Sequence, residues 1–324
     1  MSTTTITSLS VKSYKRIELK DACRRGDGKK ISYLQKLGVR LFDGDIHNCF
    51  LCPNILLNAK LAIVLVKLIQ DVKFTPPNNA LSFLYLAALS GCSDIVQTLI
   101  ERGSNINATY AFDVPEFASP PVNPLCAAAG EGHLEVVKVL CNWASQKEIR
   151  LAYKHHALIS ACRNSHAEVV KYLVSKLQID INALDPLHGT PLYAARHQLA
   201  VTEVLLKRGA EANVVLYDGS TFLLNAIALT SGKRFKMVAL LLHYGADANL
   251  THATTGETPL MRAALAEHYD VVDLLLGLGA DAIQVNHDGL NVLEMLSDDK
   301  FMNIRARCIE YIETNKLTYK PILR

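Results

Sequence analysis

The sequence predicts an all-α solenoid of about nine helix–turn–helix units, and two observations carry that prediction. A phrase recurs about every 33 residues along most of the chain. Its cleanest copy runs Thr258-Pro259-Leu260, Ala263-Ala264, Val271-Val272, Leu274-Leu275-Leu276 and Gly279-Ala280-Asp281. Half of the 324 residues are apolar while only 7% are aromatic. That composition supplies a continuous stacked core and keeps the residues between close helices small.

Each piece of the phrase has a physical role. Thr258 stands where a helix begins, and its hydroxyl can accept from one of the unpaired N–H groups of the first turn. Pro259 then falls at the first helical position, where a missing N–H costs nothing. Leu260, Ala263 and Ala264 share one helix face, and the alanines let a neighbouring helix approach. Val271, Val272, Leu274, Leu275 and Leu276 form the apolar stripe of a second helix. Gly279 ends that helix in the left-handed conformation. Ala280-Asp281 leads through a turn to a projecting loop before the next copy.

This unit resembles the ankyrin repeat. The same frame fits 82–107, with Ala87-Ala88, Gly91, Ile95-Val96 and Gly103 in register. It fits again at Asn123-Pro124-Leu125, with Ala128-Ala129, Gly132-His133 and Val136-Val137, and at His156, with Ala161-Cys162, His166 and Val169-Val170. Thr190-Pro191-Leu192 opens a shortened copy, Thr221 a lengthened one, and Asn291-Val292-Leu293 a last partial one. Toward the N-terminus only Leu19, Ala22-Cys23, Gly26, Ile31, Leu34 and Gly38 keep the spacing, and one further unit fits near 51–69. The expected organisation is a polar tail over 1–16, a repeat array over 17–299 that is degenerate before about residue 80, and a C-terminal capping helix and tail over 300–324.

Charge is near balance, at +3 overall, but unevenly placed. Residues 12–40 hold ten Lys and Arg against three acids, and 300–324 hold six against two. With no aromatic interleaving or nucleic-acid motif beside it, this charge reads as solvated caps. The most apolar stretch, 55–69, is broken by Asn58, Lys60 and Lys67 and is too short for a membrane span. The start, 1–11, is a polar Ser/Thr tract without the pattern of a secretory signal. The eight cysteines fall mostly at repeat positions, where free Cys packs as a small hydrophobe. A reduced, cytoplasmic, monomeric chain is expected, in a host cytoplasm if the protein is a delivered effector.

Few residues suggest chemistry. His47, Cys49 and Cys52 have metal-like spacing, but zinc needs about four ligands. His155 and His156 point about 100° apart on a helix, so they are poorly placed to share an ion; His156 is expected at the helix start. His133 and His166 occupy a position that, in the resembled family, bonds across neighbouring units. No phosphate loop, nucleophile elbow, metalloprotease or kinase pattern is present. No enzyme, cofactor, metal or nucleic-acid partner is expected.

The resemblance implies a non-catalytic module that binds a partner protein through its concave inner-helix face and loops. Carried onto this sequence, the inner-helix candidates are Arg163, Asn164 and Arg196, beside Arg24, Arg25 and His197. The loop candidates are His188 and Tyr217, with Tyr153, Lys154, Leu187, His287 and Asp288. The stretch 109–122 adds Tyr110, Phe112 and Phe117 among prolines, rings of the kind that anchor interfaces. A second insertion, 230–236, is expected to expose Lys233, Arg234 and Lys236. With the Gly-Ala-Asp closure missing after Leu140, 142–153 reads as an extended or rearranged helix, where a change in stacking would bend the solenoid and create a cleft. Alternative readings are a secreted bacterial or viral effector acting on host proteins, including a ubiquitin-ligase adaptor recruited through 300–324, and less strongly a cryptic enzyme.

Overall fold

A computed structural model of the chain describes residues 17–22, 25, 27, 29–30, 82–108, 123–143, 151–185, 189–230 and 232–315. The described elements are helices joined by turns, with isolated bridges at Asp185–Gly189 and Val215–Thr221. The chain divides into two compact units, Met1–Ile179 and Asp180–Arg324.

Helix starts follow directly from residue type. Ser82, Asn123, Thr190, Thr221, Thr258 and Asn291 sit in extended backbone, each just before a helix. Each side-chain oxygen accepts from the N–H of the third helical residue at 2.9–3.2 Å. Pro124, Pro191 and Pro259 take the first helical position, as expected. Each cap is worth about 1 kcal/mol, which matters for helices this short.

The first unit contains α1 (Phe83–Leu89), α2 (Ser93–Glu101), α3 (Pro124–Gly130), α4 (Leu134–Trp143), α5 (Leu151–Arg163) and α6 (Ala167–Leu177). Helices α1, α3 and α5 pack in one row and α2, α4 and α6 in a second, with each pair also packed together. Ala87-Ala88, Ala128-Ala129 and Ala161-Cys162 are completely buried, and these small residues permit the close approach of the inner row. Val96, Val137 and Val170 are buried at matching places on the outer row. Gly91 and Gly132 have positive φ, and a Cβ there would meet the rings of His133 and His166. Those rings bond the previous copy: His133 Nε2 lies 3.0 Å from Leu89 O, and His166 Nε2 lies 2.9 Å from Gly130 O.

Helix α5 differs from the sequence expectation. It begins at Leu151, so His156 lies within the helix rather than at its start. Tyr153 and Lys154, expected at a loop tip, are buried on it. Without a Gly-Ala-Asp closure ahead of it, the helix extends backward by more than a turn. The added turn lies against α3, where Cys126 Sγ donates to Tyr153 O at 3.5 Å. Across this joint α3 packs on α5 and α4 on α6, so both rows continue.

The second unit contains α7 (Pro191–Ala194), α8 (Leu199–Lys207), α9 (Phe222–Ile227), α10 (Arg234–His243), α11 (Pro259–Leu265), α12 (Tyr269–Gly277), α13 (Val292–Met295), a 3-10 turn (Asp299–Phe301) and α14 (Met302–Thr314). Helices α9, α11 and α13 form one row and α8, α10, α12 and α14 the other. Ile304, Cys308 and Ile312, four residues apart, are the buried edge of α14. At the start of α10, Lys233 just before the helix and Lys236 in its first turn are exposed as expected, but Arg234 is not. Its Nη1 donates to Leu229 O at 3.1 Å, which folds the guanidinium back onto the end of α9.

Candidate partner-binding surface

The closing turns of the second unit are tied from one copy to the next by asparagine. Asn182 Oδ1 accepts from Glu211 N at 2.8 Å, Asn213 Oδ1 from Asp247 N at 2.8 Å, and Asn249 Oδ1 from Asp281 N at 2.7 Å. Asn213 also donates Nδ2 to Gly245 O at 3.0 Å. Each asparagine thus fixes where the loop after it projects.

Those loops are short hairpins in a common register. The N–H groups of Asp185, Leu216, His252 and Asn286 donate across their hairpins to the carbonyls of Gly189, Ser220, Glu257 and Leu290, each at 2.9 Å. Leu184, Val215, Thr251 and Val285 are therefore equivalent positions, each just before the paired residue. Neighbouring hairpins are joined as well: Ala253 N donates to Gly219 O at 2.7 Å and His287 N to Thr255 O at 3.0 Å. His287 Nδ1 also lies 3.0 Å from Thr254 O. A Cβ on Gly256 would come within 2.7 Å of His287 N, so the close approach of these loops requires glycine there.

At three of the four equivalent positions an aliphatic side chain faces water: Leu184 is 50% exposed, Val215 47% and Val285 50%. Tyr217, at the tip of its hairpin, is 75% exposed. The aliphatic row went unread in the sequence, although each member stands two residues after the turn-closing position at Asn182, Asn213 or Ile283. The hairpin segments 178–190, 209–221, 245–258 and 279–291 contain no Lys or Arg. Each carries two acids: Asp180 and Asp185, Glu211 and Asp218, Asp247 and Glu257, Asp281 and Asp288. Asp218 accepts from Ser220 N at 2.9 Å and Ser220 Oγ at 2.6 Å, and these bonds hold its carboxyl below the usual Asp range. Glu257 is paired with Arg262 of α11, whose Nε lies 3.1 Å away.

The inner-helix candidates fall in separate places. Arg163 closes α5 and is exposed, while the exposed Asn164 donates Nδ2 to Gly130 O at 2.6 Å. Asn164 is therefore in part a tie between copies. Arg196, just after α7, is half-buried with its guanidinium 4.7 Å from the centre of the Tyr193 ring. Tyr110, Phe112, Phe117 and His188 lie outside the described residues, as do Arg24, Leu187, His47, Cys49 and Cys52.

The described cysteines are free thiols held by packing. Burial pushes Cys126 and Cys141 up to about 12 and Cys308 up to about 11, and it raises Cys162 as well. Such thiols are poor nucleophiles near neutrality. Among the described residues, no group of three His, Cys, Asp or Glu could hold a metal ion, and no helix is long and apolar enough to cross a membrane. An open groove of about 580 Å³ between α12 and α14 is spanned by an ion pair of Arg307 with Asp273. Arg307 also lies 5.6 Å from the centre of the Tyr269 ring, so the polar groups of this groove serve to dock α14.

Known proteins share this pattern. Residues 116–185 and 192–287 match the family described as Ankyrin repeats (3 copies), and residues 81–110 match Ankyrin repeat. The chain is similar to Ankyrin repeat protein nuc-2 of Neurospora crassa, 28% identical over 218 residues, covering 65% of this chain and 19% of that protein. It is also similar to Probable E3 ubiquitin-protein ligase XBOS33 of Oryza sativa, 32% identical over 170 residues, covering 50% of this chain and 32% of that protein. A third similarity is to Ankyrin repeat and KH domain-containing protein mask-1 of Caenorhabditis elegans, 31% identical over 193 residues, or 59% of this chain and 7% of that protein. The chain thus spans a third or less of the length of these relatives. The family matches cover more than half of the sequence, and the chain belongs to the ankyrin repeat family.

Proposed function

We propose that this chain is a non-catalytic interaction module that grips a partner protein with its hairpin tips and the exposed ends of its inner helices. The observation that carries the reading is a division of labour among side chains. The caps, His133, His166 and the asparagines of the closing turns bond within the scaffold, whereas Tyr217, at the tip of its hairpin, projects into solvent. Aromatic and Arg side chains are the residue types that most often anchor protein interfaces. Free, buried thiols support a reducing, cytoplasmic location. A ligase-adaptor role draws on the likeness to XBOS33, but Cys308 of the proposed recruitment segment is buried against the scaffold.

The test is capture of cross-linked partners by the full chain, with identification by mass spectrometry. Tyr217→Ala and Arg163→Ala should each weaken capture about tenfold and leave melting unchanged. Undiminished capture by both variants would move the interface off these two sites.

A further inference from the structure

We propose that the row Leu184, Val215 and Val285 is a docking strip for a basic polypeptide segment. Its aliphatic side chains lie along the row, and its Lys and Arg meet the carboxylates of the surrounding hairpins. This inference rests on the interaction-module reading above and adds the chemistry of the partner.

Three observations combine to select that occupant. The first is register: the common backbone pairing places the three aliphatic residues at one equivalent position of successive hairpins. They are half exposed, whereas Leu192, Leu223, Leu260 and Leu293 of the inner helices beside them are buried. Exposed apolar side chains in a row, rather than scattered singly, mark an interaction surface.

The second is spacing by backbone bonds. The hairpin carrying Val285 is bonded to its predecessor by His287 N and Nδ1, and that predecessor is bonded to the hairpin of Val215 by Ala253 N. From Val215 to Val285 the row is held by these ties and meets a ligand preorganised, without the ordering cost of free loops. Thr251 interrupts the aliphatic side of the row in the hairpin that carries one extra residue. A hydroxyl there accepts a polar group of the partner between two aliphatic contacts.

The third is charge. No Lys or Arg lies in the four hairpin segments, while Asp218 and Asp288 are exposed at the tips. Phosphate backbones would be repelled along the whole strip, and an acidic peptide likewise, whereas a cationic segment is steered onto it. The carboxylate of Asp218 is kept ionised by its two bonds from Ser220.

The experiment is selection of random peptides about 16 residues long (long enough to cross several repeats) displayed on phage against the full chain, at low and at raised salt. Enriched peptides should carry net positive charge and repeated Leu, Ile or Val. Synthetic copies should bind about tenfold more weakly to the triple variant Leu184→Ser, Val215→Ser, Val285→Ser. The double variant Asp218→Asn, Asp288→Asn should lose about fivefold at low salt and show a shallower salt dependence. Leu184, Val215, Val285 and Asp288 are exposed, so circular dichroism and melting should not change there, while Asp218→Asn keeps an oxygen acceptor for Ser220 and should lower melting only slightly.

Enrichment of neutral or acidic peptides, or binding indifferent to both variants, would overturn the basic-segment proposal and leave the interaction reading standing. No enrichment at all would count against both. Self-association of the full chain in sedimentation, abolished by the triple variant, would make a second copy the occupant and overturn the proposal in that form.

Discussion

The two units tie neighbouring copies together by a different balance of chemistry, although Asn164 adds an amide tie to the first and His287 an imidazole tie to the second. In the first, an imidazole reaches from one copy to a carbonyl of the copy before it, and Gly91 and Gly132 leave room for the ring. In the second, the ties are the amide side chains of Asn182, Asn213 and Asn249 in the closing turns, reinforced by backbone bonds between hairpins. A histidine tie fills volume and tolerates no neighbouring Cβ. At Asn182 and Asn213 the asparagine tie is exposed and carries two bonds, and the glycines beside it, Gly209 and Gly245, are unhindered. The first unit should therefore be sensitive to packing and the second to hydrogen bonding.

The largest expected effect tests the packing side. Gly132→Ala forces an L residue into a left-handed conformation and drives its Cβ into the His166 ring, for a loss of about 2–3 kcal/mol in urea unfolding. Gly209→Ala has the same positive φ but open space around it, and should lose only about 1 kcal/mol. Alkylation of Cys162 and Cys308, resolved by peptide mass, follows each unit separately because both thiols are buried. Equal acceleration at the two cysteines in Gly132→Ala would show a single cooperative block and erase the contrast.

Next in size is Asn213→Ala, which removes both bonds to the following turn. The site is exposed and water replaces part of the loss, so about 1 kcal/mol is expected, read as faster hydrogen exchange at Asp247 N. A neutral outcome would mean that the hairpin bonds alone hold the second unit together.

Much of this comparison was legible before any coordinates. Thr258, Thr190 and Ser82 announced their helices because capping is local chemistry written in one residue. His133 and His166 were readable as ties because they stand at a fixed place in the period. The start of α5 was not readable: where the Gly-Ala-Asp closure is missing, only packing against α3 decides how far the helix extends. Nor was the retreat of Arg234, since Leu229 O is an acceptor only once α9 has ended there. The aliphatic row stands at a constant offset from the closing turns, but only the backbone pairing and the exposure of its members show it to be one surface.

A smaller effect tests strain. Ser165 and Glu267 stand with positive φ where Gly91 and Gly132 stand in other copies, one in each unit. Glu267→Gly should raise stability by up to about 1 kcal/mol, visible as a slightly higher melting temperature. A fall would show that the side chain of Glu267 contributes more than its backbone costs.

The smallest effect is on pH and is assigned to the second unit. Burial, and then the nearby Arg234, lower His268, with Asp270 opposing. A histidine with a lowered folded pKa binds fewer protons than in the unfolded chain, so stability should fall as pH drops below about 6.5 and level off beneath the folded value. In His268→Gln that shallow slope should disappear. A slope unchanged in this variant would move the pH response elsewhere.

The asparagine ties also say where this chain can change length. Asn182, Asn213 and Asn249 reach partners 29, 34 and 32 residues further on, yet all three bonds fall between 2.7 and 2.8 Å. The bridge geometry is held constant while the number of residues beneath it varies. The slack is taken up away from the ties, in the shortened α7 and in the turn between α9 and α10. That turn is a natural insertion point for a fluorescent or epitope reporter, since added residues there leave every tie and every hairpin in register.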